Sequence, residues 1–130
     1  MNSLNELSKQ IYEGNKLRGF DVSKENIGQT LMLVVSELAE ALEADRKSKY
    51  ANLEVFENCM NADDINEEDM YLYLKKSFQE TIKDTFEDEI ADSFIRLFDL
   101  VGGLKIDIEK HIKYKLEYNS NREFKHGKRY

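Results

Sequence analysis

The stretch Leu31-Met32-Leu33-Val34-Val35-Ser36-Glu37-Leu38-Ala39-Glu40-Ala41-Leu42-Glu43-Ala44-Asp45-Arg46 places carboxylates in the middle of the most apolar segment of the chain. Ile27, Leu31, Val34, Val35, Leu38 and Leu42 recur at the helical period, which predicts one long helix to about Lys47, with Ser23 as a cap ahead of it. Glu37 and Glu40 then lie on one face, a turn apart, where two carboxylates can hold one hard cation. Spacing alone is a weak signal. The chain has 26 Asp and Glu, enough for about five acidic pairs at i,i+3 by chance, and it has six. The setting is what distinguishes this pair, because carboxylates among apolar side chains are tolerated when paired or metal-bound. Leu33 and Ala41 predict that even the acidic side is partly enclosed.

The absence of proline, a low glycine count and a charged fraction of 35% favour helices over sheets. The 130 residues suit a single domain over 1–130. No run reaches the ~18 apolar residues of a membrane span and no signal-peptide pattern opens the chain, so the expectation is a cytoplasmic protein without membrane contact. The lone Cys59 excludes an internal disulfide and a cysteine-based zinc site. The net charge of −7 is uneven: residues 110–130 carry +5, leaving −12 on the rest. An acidic body argues against nucleic-acid binding, although a basic end and a bound cation can together hold a small polyanion.

Outward from the central stretch, Ser3 and Glu6 have capping-box spacing ahead of a helix from about Leu4 to Leu17, which stops near Arg18-Gly19-Phe20. Residues 48–80 are less regular, with helical patterns over 50–60 and 70–78 around an acidic loop at 63–69. That loop lacks the glycine and distal glutamate of a calcium-binding EF-hand and reads as solvated. Thr85 and Asp88 can cap a helix that carries Ile90, Phe94, Leu97, Phe98 and Val101 and ends at Gly102-Gly103. A last helix is expected over 107–118. The fold class is therefore all-α, with four principal helices and an insertion between the second and third.

The third principal helix brings a second acidic pair, Glu89 and Asp92. If the two central helices pack antiparallel, Glu37, Glu40, Glu89 and Asp92 can surround Mg²⁺, with Mn²⁺ as a substitute. A di-iron carboxylate site is the competitor; it wants Glu-x-x-His pairs, and hard oxygen ligands without histidine favour magnesium. Beyond them, Lys115, Asn119, Arg122, His126 and Lys128 offer point charges, a guanidinium fork and amide donors, the groups that hold phosphate oxygens.

Glu37-x-x-Glu40, Glu89-x-x-Asp92 and Lys115-x-x-x-Asn119-x-x-Arg122-x-x-x-His126-Gly127-Lys128, with the opening Asn15-Lys16-x-x-Gly19-Phe20, resemble the MazG-like branch of the all-α nucleoside triphosphate pyrophosphohydrolases. The resemblance implies a four-helix MazG-like bundle and Mg²⁺-dependent hydrolysis of a (deoxy)nucleoside triphosphate to monophosphate and pyrophosphate, in nucleotide-pool housekeeping. It also implies assembly as a homodimer or homotetramer. Glu37, Glu40, Glu89 and Asp92 would be metal ligands, with Glu37 or Glu40 also taking the proton of the attacking water. Lys115 and Asn119 would contact phosphates, Arg122, His126 and Lys128 would belong to the basic tail, and Phe20 would stack on a base or fill the core. The chain departs from the family pattern at Ser36, where relatives often carry another glutamate, and in the 48 residues between Glu40 and Glu89, which exceed the usual spacing. The alternative from another class is a non-catalytic helical oligomer that binds metal or nucleotide. In either case Tyr12, Phe56, Tyr71, Tyr73 and Phe78 are candidates for burial between subunits.

Overall fold

The computed structural model describes residues 3–62 and 64–122, and their regular structure is entirely helical. In chain order the helices are α1 (Leu4–Leu17), α2 (Ile27–Arg46), α3 (Leu53–Met60), α4 (Glu67–Thr81), α5 (Phe86–Gly103) and α6 (Ile108–Ser120). A 3-10 turn at Lys24–Asn26 precedes α2. Ser23 caps that turn rather than α2 itself. No helix among the described residues is long and apolar enough to cross a membrane. The described residues fall into two compact units, one of those up to 27 with those from 97 onward and the other of those within 28–96.

In the first unit, the expected capping box starts α1: Ser3 Oγ accepts from the Glu6 amide and the Glu6 carboxylate accepts from the Ser3 amide. Asn5 ties α1 to the start of α6, donating to Asp107 Oδ1 at 2.9 Å and, through its backbone, to Glu109 Oε1 at 3.1 Å. Farther along α1, Asn15 donates to Asp99 Oδ2 on α5 at 3.1 Å. Gly102 and Gly103 do not act as left-handed caps. Both lie within α5, and the residue at positive φ after it is Lys105, at 56°. What they supply is closeness. A Cβ on Gly102 would run into the Ser8 carbonyl oxygen, and one on Gly103 would meet the Val22 oxygen at 2.8 Å.

The second unit holds α2, α3, α4 and the first part of α5. The predicted insertion is a helical hairpin. Phe56 of α3 meets Phe78 of α4 edge to face, with centroids 6.2 Å apart, and the Asn52 amide donates to the Thr81 carbonyl at the base. Helix α4 starts earlier than the apolar pattern indicates, since Glu67, Glu68 and Asp69 form its first turn instead of a loop. Acidic side chains are favoured there by the exposed amides of a helix N-terminus.

Helix α2 departs from the expected packing. It buries Thr30, Val34, Glu37, Ala41 and Ala44, while Leu31, Val35, Leu38 and Leu42 remain 43–52% exposed. Both stripes have alternating spacings of four and three residues, so periodicity alone could not choose between them. The chosen stripe is the smaller and more polar one, and it carries Glu37 inward.

The glycines allow a direct test. Gly102→Ala should destabilise the protein by about 1–3 kcal/mol, because the obstruction is backbone that cannot swing away. Gly28 has nothing within 4 Å of its would-be Cβ, so Gly28→Ala should add about 0.5–1 kcal/mol through helix propensity. Urea unfolding of both variants checks the pair.

Candidate metal centre

The link between α2 and α5 fixes the heights at which their carboxylates stand. Ser48, at φ 54°, ends α2, and the Lys49 amide closes back onto the Ala44 carbonyl at 2.8 Å. The next residues are bound to the start of α5: Phe86 N donates to Lys49 O at 2.8 Å, and Ala51 N donates to Glu87 Oε2 at 2.7 Å. Tyr50 packs edge to face on Phe86. Thr85 caps α5, its hydroxyl accepting from the Asp88 amide, as its spacing predicts, while Asp84 N donates to the Asp88 carboxylate. Nine residues back from the end of α2, Glu37 comes alongside Glu89 and Asp92, three and six residues into α5.

Carboxylate oxygens of Glu37, Glu89 and Asp92 all lie within 4.8 Å of one another, and oxygens of Asp84, Asp88 and Glu89 form a second such group. Glu89 belongs to both. Glu40 is not in either group: it is exposed and lines the neighbouring cavity with Glu89, whose carboxyl it helps to hold in the neutral form. Ligands at 2.0–2.1 Å from Mg²⁺ stand about 3–4 Å apart, so the spacing and the all-oxygen donor chemistry fit a hard divalent cation. Three of the four expected carboxylates, Glu37, Glu89 and Asp92, thus form a group that can hold a metal ion, and the fourth, Glu40, does not belong to it.

The same crowding shifts the acids' protonation. Glu89 is 6% exposed; its burial, then hydrogen bonds to Glu40 and Glu37, push its carboxyl from 4.5 up to about 8. Asp92 is also raised, by burial first and then by the charges of Asp88 and Glu37, with Arg96 opposing. Two like charges 4 Å apart repel by about 4 kcal/mol at an effective dielectric of 20. A single guanidinium does not neutralise this many acids. Arg96 Nε donates to Glu37 Oε1 at 2.8 Å, which orients that carboxylate and leaves its other oxygen for a ligand. Either a proton on Glu89 or a cation supplies the remaining balance.

Beside the acids, a cavity of about 230 Å³ is lined by Glu40, Glu43, Lys47, Lys49, Asp84 and Glu89, with Ala44. A larger one, of about 760 Å³, reaches Asp92, Asp88 and Asp84 from the side of the α3–α4 hairpin.

The remaining predicted site residues belong to the first unit or lie outside the described residues. Lys115 and Asn119 are exposed on α6. Lys115 Nζ and the Arg122 guanidinium both sit over the Tyr118 ring, at 5.0 and 5.2 Å from its centroid. Phe20 is 66% exposed and fills no core. His126 and Lys128 fall outside the described residues, as does Glu123, which forms the chain's Glu-x-x-His spacing with His126. Sequence reasoning passed over Arg96, Asp84 and Asp88 as site residues. Arg96 was findable, standing seven residues after Glu89 and four after Asp92 on the same face. No family model matches this chain, and neither does any curated protein or solved structure.

The pH dependence follows from Glu89. Its folded pKa lies above the unfolded value, so its contribution to stability is full below about pH 4.5 and is lost as pH rises toward about 8. Metal-free protein should therefore melt several degrees lower at pH 8 than at pH 5, and Glu89→Gln should flatten that slope. Because a cation displaces this proton, affinity for Mg²⁺ should rise about tenfold per pH unit across the same window. Melting curves in chelator and calorimetric titrations measure the two effects.

Proposed function

We propose that this protein is a MazG-like nucleoside triphosphate pyrophosphohydrolase whose divalent cation is held by Glu37, Glu40, Glu89 and Asp92. The observation that carries the reading is the convergence of Glu37, Glu89 and Asp92 from two helices, with carboxylate oxygens within 4.8 Å of one another and the exposed Glu40 lining the cavity beside Glu89. A bundle of the four principal helices, Mg²⁺ with Mn²⁺ as substitute, and a triphosphate substrate belong to the same proposal.

When bound, the cation supplies charge neutralisation at the phosphates and Lewis acidity toward water. The protein's own groups do the rest. A water oxygen attacks the α-phosphorus, the bond to the bridging oxygen breaks, and monophosphate and pyrophosphate leave. Glu40 takes the proton from that water: it is exposed and lines the cavity with Lys47 and Lys49, whereas Glu37 is committed to Arg96. Lys47 and Lys49 meet phosphate charge there. Lys115 and Asn119 retain the phosphate-binding role that the family resemblance implies.

The exposed stripe of Leu31, Val35, Leu38 and Leu42 supports self-association as a homodimer or homotetramer, since four large apolar side chains at coiled-coil spacing are covered well by a second helix. The same stripe favours the second reading, a helical oligomer that holds metal without catalysis. Divalent cation and nucleotide added together should raise the melting temperature more than either alone under the enzymatic reading.

Pyrophosphate release from a panel of nucleoside triphosphates should require Mg²⁺ or Mn²⁺ and stop in chelator. Glu40→Gln should lower it by about a hundredfold or more, with metal-free stability unchanged or raised because a like charge is gone. Full turnover by that variant would sink the assignment. Leu38→Glu should shift the protein to single chains in light scattering while helicity by circular dichroism is kept.

A further inference from the structure

The α3–α4 hairpin makes most of the wall of the 760 Å³ cavity, and nothing in the proposed hydrolysis yet uses it. That volume lies within the range of small-molecule sites. Its apolar lining comes from Phe56, Tyr71, Leu74 and Phe78. Phe56 and Phe78 are fixed against each other edge to face. Tyr71 is 71% exposed, so its ring is spent on no core packing and is open to a planar partner. Gln79 adds an amide that can both donate and accept at a ring edge.

The polar lining is equally specific. Lys75 and Lys83 face three carboxylates, of Asp84, Asp88 and Asp92. The net charge is negative, so a free anion is repelled, while an anion that arrives with a divalent cation is not. Asp92 also belongs to the acidic group with Glu37 and Glu89. One side chain therefore borders both the cation's position and the aromatic cavity.

We propose that the hairpin cavity receives the nucleobase of the triphosphate, stacked on Tyr71 beside Phe56 and Phe78 and read at its edge by Gln79, while the phosphates lie toward Asp92 and the lysines. This rests on the reading of the acidic cluster as a metal–triphosphate site. The insertion thereby acquires a role, since the hairpin sets which base is accepted. Lys75 and Lys83 assist the phosphates only when the cation is present.

The test uses the α,β-imido triphosphate of 2-aminopurine deoxyriboside, which resists hydrolysis and loses fluorescence on stacking, alongside inorganic tripolyphosphate, which has no base. Both are titrated with Mg²⁺ into the full-length protein, into Tyr71→Ala and Gln79→Ala, and into Glu40→Gln. The nucleotide should bind at least about tenfold tighter than tripolyphosphate, with quenching. Tyr71→Ala should remove most of that tenfold and the quenching while tripolyphosphate affinity stays unchanged. Tyr71 is exposed enough that its loss leaves the fold intact, and Tyr71→Phe should restore stacking. If tripolyphosphate binds and the base adds nothing, or if the variants change only the association state, this inference falls and the metal–triphosphate reading survives. If neither probe binds in Mg²⁺, both fall.

Discussion

Three carboxylates, of Glu37, Glu89 and Asp92, sharing one partly buried volume are the constraint to which the second unit answers. The arrangement is unfavourable unless a positive charge or a proton enters it. Its neighbours are consistent with that demand: Arg96 holds Glu37 at 2.8 Å, and Glu89 is driven to keep a proton. The backbone meets the same constraint by rigid means. The bonds from Phe86 to Lys49 and from Ala51 to Glu87 lock the relative height of α2 and α5, so the acids cannot relax apart by sliding. A repulsive cluster held this way would be relieved by a cation in proportion to what it costs when empty.

Much of this is legible in the chain itself. Caps report local chemistry, so Ser3, Glu6 and Thr85 mark helix starts correctly. The Glu37/Glu40 pair stood out from the other acidic pairs by its apolar surroundings, and of the two Glu37 is buried while Glu40 is exposed. The choice of buried face on α2 was not legible. Two apolar stripes share its period, and only tertiary packing selects Val34 and Ala41 over Leu38 and Leu42. Gly102-Gly103 looked like a helix stop because glycine at such a place often adopts positive φ, but the structure uses its missing side chain, and Lys105 takes the left-handed position. The early start of α4 was hidden for a related reason: its first turn is defined by charge on free amides, which apolar periodicity does not register.

The two units carry their charge differently. Acidic residues dominate 28–96, where the carboxylates converge, while α6 and its flank bear the lysines and Arg122. The cations on α6 are not solitary points of charge. Lys115 and Arg122 both lie over the ring of Tyr118, which restricts both side chains ahead of any anion and reduces the entropy lost on binding one.

The hairpin of α3 and α4 also has a clean base. Ser48 and Asp84, at φ 54° and 63°, bracket it, and its two feet are joined by the bond from the Asn52 amide to the Thr81 carbonyl at 2.9 Å. Chain entering and chain leaving are thus already adjacent, so gaining or losing the helices between them costs little loop closure. Such a segment is a cassette: its length and side chains can be exchanged through history while the acid-bearing helices beneath keep their register.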